Sequence, residues 1–161
     1  MFGNKEEFRL DKLKEGYTLK LKKETWTISE IAEYDWGGDG RSIEYIMTSK
    51  GGEEAYLEVE FLKGDYEIYY SQAISIESHI LEDAIKTKET FIFDNLFKLE
   101  EQYKGAYKNL TKRGSWENLQ SYMFYNNDDE ILTIEDWGEN KYEVFYGEEV
   151  KAKNIKNITP N

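Results

Sequence analysis

Tyr66-Glu67-Ile68-Tyr69-Tyr70 and Tyr142-Glu143-Val144-Phe145-Tyr146 decide how this chain is read, because each position is identical or swaps one apolar side chain for another. A chain that repeats itself builds the same supersecondary unit more than once. Upstream, Leu57-Glu58-Val59-Glu60 lies over Leu132-Thr133-Ile134-Glu135, and Tyr45-Ile46-Met47 over Tyr122-Met123-Phe124. Nearer the start, Thr18-Leu19-Lys20-Leu21 lies over Thr90-Phe91-Ile92-Phe93, and Trp26-Thr27-Ile28-Ser29-Glu30 over Phe97-Lys98-Leu99-Glu100-Glu101. Matched segments in the same order, with drifting loop lengths, predict two tandem halves.

The expected fold is mostly β, with two tandem pseudo-repeated five-stranded antiparallel units packed together as small barrels or sandwiches. Residues 1–161 then form a single compact domain, because half this length would bury too little surface alone. The first half is placed at 13–74, a linker at 75–89, the second half at 90–150 and a C-terminal tail at 151–161. Strands are expected near 18–22, 25–34, 42–48, 54–61 and 66–71, then near 90–93, 96–101, 104–112, 118–125, 130–135 and 141–146. Leu57, Val59 and Phe61 alternate with Glu58 and Glu60, as a half-buried strand does. Lys22-Lys23 and Asp94-Asn95 sit where hairpin turns belong. In 75–88, Ile76, Ile80, Leu81, Ala84 and Ile85 recur at helical spacing, which fits a short helix or an extended linker.

The chain carries 16% aromatic residues and a net charge of −12. Aromatic richness separates it from acidic disordered chains and suits pleated sheet surfaces. The negative charge argues against nucleic acid and against anionic lipid head groups. A protein partner is compatible with it, a basic one especially, as is a polyamine. With no cysteine, thiolate nucleophiles, disulfides and zinc–thiolate sites are excluded. Met1-Phe2-Gly3-Asn4-Lys5-Glu6-Glu7 lacks a signal-peptide pattern and no run approaches a membrane helix, so a cytoplasmic location is expected.

Candidate sites are few. His79 stands beside Glu77 and Glu82 with no second histidine, which cripples metal and Ser-His-Asp chemistry. Asp35-Trp36-Gly37-Gly38-Asp39-Gly40 lacks the alternate oxygens and late glutamate of a calcium loop and reads as a glycine-rich hairpin. No cofactor or metal site is expected. Glu58 and Glu60 share one strand face, and Glu60 and Glu135 hold equivalent places in the two halves. These acids read as a solvated outward face, with a symmetric acidic pair at the junction as the alternative. Trp36 and Trp137 sit in Asp-Trp-Gly triplets in turns that do not correspond, and either cap the fold or stack on a partner. Trp36, Trp137, Glu60 and Glu135 are therefore the candidate interaction surface.

The chain resembles DUF4178, a bacterial domain family. The resemblance rests on Leu13-Lys14-Glu15-Gly16-Tyr17, Thr25-Trp26-Thr27-Ile28, Glu44-Tyr45-Ile46, Tyr56-Leu57, Leu132-Thr133-Ile134-Glu135, Asp136-Trp137 and Tyr142-Glu143-Val144-Phe145-Tyr146-Gly147-Glu148-Glu149-Val150. It implies no catalytic set and no transferable site residue. It implies a gene neighbourhood tied to membrane stress and polyamines. The expected function is a non-enzymatic cytoplasmic interaction module, accessory to such a system. A small-ligand or carbohydrate-binding module is the second expectation and a carboxylate-only hydrolase the third. If the halves leave a pocket, it is expected at the seam between them.

Overall fold

The computed structural model describes residues 8–38 and 40–161. The N-terminal heptapeptide read above for a leader, and Asp39 of the glycine-rich loop, lie outside them. The strands run β1 (Thr18–Leu21), β2 (Glu24–Asp35), β3 (Arg41–Ser49), β4 (Glu54–Leu62) and β5 (Asp65–Ile74), then helix α1 (Ser78–Thr87). They continue as β6 (Glu89–Ile92), β7 (Asn95–Asn109), β8 (Glu117–Tyr125), β9 (Glu130–Asp136), β10 (Tyr142–Val150) and β11 (Lys156–Thr159).

Instead of two five-stranded barrels or sandwiches packed together, the described strands belong to one antiparallel sheet, in the order β11-β1-β2-β3-β4-β5-β10-β9-β8-β7-β6. A further pairing of β2 with β7, from Ala32↔Asn109 to Asp35↔Ala106, closes eight of them into a ring. Two seams therefore join the early strands to the late ones, β5–β10 and β2–β7.

Two β-bulges make this closure work. The register slips between Ile28 and Glu30 against β3, and between Leu99 and Glu101 against β8. Each slip inserts one residue, Ser29 or Glu100, and so moves the following side chains to the opposite face. Trp26 and Ile28 thus sit in an apolar core while Tyr34 and Trp36 line the ring interior. Phe97 and Leu99 likewise pack in a core, whereas Glu101 and Tyr103 face inward. The expected strands 96–101 and 104–112 are accordingly one strand of 15 residues, bent but not broken.

The hydrophobic cores lie outside the ring. One gathers Leu19, Trp26, Tyr45, Met47, Leu57 and Ile68 beneath β1 and the N-terminal turn, with Ile155 from the C-terminal tail. The other places Leu81 and Ala84 of α1 on Phe97, Phe124, Leu132, Ile134 and Val144. The helical spacing over 75–88 is realised as α1, which ends on a left-handed Lys88 whose N–H donates to Ala84 O at 2.8 Å. The tail pairs with β1 through Thr18↔Thr159 and Lys20↔Lys156. Both Lys22-Lys23 and Phe93-Asp94 have positive φ at each turn residue, the two-residue hairpin geometry that matches strand twist. The second turn lies one residue earlier than expected, since Ile92 pairs with Asn95.

Candidate functional site

Side chains that alternate with the core residues point into the ring, so the interior is polar where small rings are usually filled by apolar side chains. They enclose a cavity of about 350 Å³. Buried Glu44 and Glu135 line it, along with half-buried Glu58, Glu60, Glu101 and Glu148 and exposed Glu67. Trp36, Tyr56, Tyr69, Tyr70, Tyr103 and Phe145 supply its aromatic walls. Among the described residues no lysine, arginine or histidine lines it. The strand ladder sets the spacing of the acids. Glu44 lies directly across from Glu58, and Glu60 across from Glu67. Glu58 and Glu60, two residues apart on β4, are separated by roughly 6.6–6.8 Å along the strand.

Tyr34 bridges the deepest acids. Its hydroxyl lies 2.8 Å from Glu135 Oε2 and 3.2 Å from Glu44 Oε2. Burial pushes Glu44 well above the usual carboxylate range, and the charges of Glu135 and Glu58 push it further. Burial also raises Glu135, against the hydrogen bond from Tyr34. Glu58 is pushed up to about 7, chiefly by burial, although Ser42 Oγ donates to its Oε2 at 2.7 Å. Desolvation dominates each case because ionised carboxylates lose their water without gaining a cation.

A second cavity of about 470 Å³ adjoins the first, and Glu44, Tyr56, Glu135 and Phe145 line both. Glu44 and Glu135 therefore stand where the two cavities meet, whereas Glu60 lines the first alone. Trp36, Glu60 and Glu135 line the first cavity, while Trp137 lines the second, again with Glu135. Both tryptophans are half-buried. Trp36 stacks on Tyr34 with ring centroids 4.9 Å apart, and Trp137 stands edge-on to Tyr107 at 5.5 Å. The two Asp-Trp-Gly turns do not correspond in chain order, yet they are built alike. Trp36 N donates to Gly40 O and Trp137 N to Lys141 O, while Asp35 and Asp136 each accept the N–H of the following glycine. His79 is far more exposed, its ring touching only Glu77 among the described charged groups.

Tyr34, Glu44 and Glu101 went unsingled in the sequence. A signal for Glu44 was present, since it interrupts the apolar run Ile43-Glu44-Tyr45-Ile46-Met47, where a lone charge needs an enclosed partner.

The family model for a domain of unknown function, DUF4178, matches residues 14–152, most of the chain. The chain belongs to the DUF4178 family. The DUF4178 match spans every strand of the ring and every cavity carboxylate from Glu44 to Glu148, but not β11. A protein of Aquifex aeolicus (strain VF5), described as uncharacterized, is 27% identical over 161 residues, covering 94% of this chain and 85% of its own length. No solved structure matches the chain significantly.

Proposed function

We propose that this DUF4178 chain is a cytoplasmic binding module for linear organic cations, polyamines being the fitting class, and that it binds its ligand without transforming it. One observation carries the reading: a cavity faced by seven glutamates and walled by aromatic rings, with no basic side chain among its described lining residues and only Glu148 paired, to Lys22 from outside the lining. Carboxylates desolvated in this way gain most from an incoming positive charge. Aromatic faces add cation–π attraction and cover the methylene links of the ligand. Acids repeated at strand spacing favour several ammonium groups on a short flexible chain over one compact ion. The role as an accessory to a polyamine-linked system follows from this reading.

A neutral carbohydrate is served less well, because Tyr56, Tyr69 and Tyr103 already donate their hydroxyl protons to Glu54, Glu67 and Glu101 and so have none left for ring oxygens. Hydrolysis by a carboxylate pair is disfavoured at Glu44 and Glu135, since the Tyr34 hydroxyl occupies the gap where a glycosidic oxygen would sit. Calorimetry and thermal melting with putrescine, spermidine, glucose and a lysine-rich peptide test the reading. Spermidine at 100-fold its Kd is expected to raise the melting temperature by roughly 5–10 °C, with the effect weakening as salt rises. A flat response to both amines refutes it, and saturable binding of the peptide alone transfers the site to a cationic protein segment.

A further inference from the structure

Glu44 and Glu135 are each more than nine-tenths buried, and their only hydrogen-bond donor among the described residues is Tyr34. A phenol hydroxyl carries one proton and serves one acceptor at full strength. The 2.8 Å contact assigns it to Glu135, which leaves Glu44 a buried carboxyl without a donor of its own. Neither Oε1 atom accepts a hydrogen bond from a described residue, and both side chains line the cavity.

The surroundings intensify the problem. Tyr34 comes from β2, Glu58 and Tyr56 from β4, Tyr107 from β7 and Glu143 from β10, and none of them brings a positive charge. Lys112 and Lys141 line the adjoining cavity that Glu44 and Glu135 also reach, but neither pairs with these two acids, and Lys112 pairs with Glu30 instead. Two carboxylates around one hydroxyl cannot both ionise without a cation between them.

We propose that the Tyr34–Glu44–Glu135 cluster is the deepest ammonium subsite of the cavity, and that it holds one proton while empty and releases it when a primary ammonium enters. The inference rests on the cation-binding reading above. The exchange balances. A carboxylic acid and a carboxylate, with net charge −1, become two carboxylates and one ammonium, again −1, and the displaced proton passes to solvent. The ammonium N–H groups donate to the two free Oε1 atoms, and Tyr34 continues to donate to Glu135. The buried net charge is unchanged, and the desolvation of the ammonium and of the second carboxylate is offset by their mutual attraction and hydrogen bonds.

The subsite then selects primary ammonium ends. A quaternary ammonium presents no N–H and cannot replace the proton's hydrogen bonds, although the aromatic walls still attract it. The test is calorimetry of spermidine binding to the full chain at pH 7 in two buffers of different ionisation enthalpy. About one proton from the cluster is expected to leave per spermidine bound, with up to about half a proton more from Glu58, seen as a heat that changes with the buffer. Glu44→Gln mimics the protonated member of the pair, so it is expected to bind about tenfold more weakly and to release about one proton fewer than the wild type. Glu82→Gln, exposed on α1 and lining neither cavity, is expected to keep the release. Spermidine binding with identical heats in both buffers overturns this proposal and leaves the binding reading intact, as does a release that Glu82→Gln abolishes and Glu44→Gln keeps. Absence of spermidine binding at any pH overturns both.

Discussion

Replacing Glu58 by glutamine is expected to stabilise this protein at alkaline pH and to change little in acid. Glu58 is half-buried on β4, directly across from Glu44, and its carboxyl is pushed up to about 7 from 4.5. A carboxyl raised on folding binds its proton more tightly in the native state. Its favourable contribution is therefore complete below about pH 4.5 and is lost as pH rises through 7. Between pH 5 and pH 8 the loss integrates to about 2.5 kcal/mol at full effect, and solvent at the cavity mouth brings it to about 2 kcal/mol. Glutamine carries no charge to desolvate and still accepts the proton of Ser42 Oγ. Urea unfolding of both proteins at pH 5 and pH 8 measures the difference. Glu58→Gln should gain about 2 kcal/mol at pH 8, about 4–8 °C in melting temperature, and less than about 1 kcal/mol at pH 5. A wild-type protein more stable at pH 8 than at pH 5, or a variant equally destabilised at both, refutes the assignment of Glu58 to an enclosed interior.

Gly147→Ala probes the β5–β10 seam. A Cβ at Gly147 would overlap the Tyr70 carbonyl and Ser71, so the strands must part, and a loss above about 3 kcal/mol or failure to fold is expected by denaturant unfolding. Trp36→Ala removes the ring stacked on Tyr34 and laid against Gly105 at the other seam. The expected cost is about 3 kcal/mol, with faster amide exchange in the paired ends of β2 and β7 than in β4.

One strand, β11, was read as a C-terminal tail, whereas most strands were legible because apolar alternation survives in several of them and turn residues mark their ends. The placement of the acids was not. Simple alternation puts Glu58 and Glu60 opposite Leu57 and Val59, and the reading of a solvated outward face follows if only one side of a sheet is enclosed. Here both sides are enclosed, one by an apolar core and one by the ring itself. The inserted residues Ser29 and Glu100 hid the closure further, since a one-residue slip changes facing without disturbing composition. Gln102-Tyr103 fell between two expected strands, whereas β7 runs through it without a break and Gly105 lets the Trp36 ring approach its backbone. The helix was half legible: its period was visible, but no capping side chain marked its start, and the N-cap Glu77 makes no cap hydrogen bond.

The two seams also set how the chain must come together. Until residues beyond about 95 are available, β2 and β5 each present an open row of backbone donors and acceptors. Those two rims match the rims of β7 and β10, whichever copy of the chain supplies them. Closure within one molecule and exchange between two molecules use the same ladder, and only the span of α1 and its flanking residues favours the former. Crowded refolding should thus yield reciprocal dimers whose rings each combine the early strands of one chain with the late strands of another.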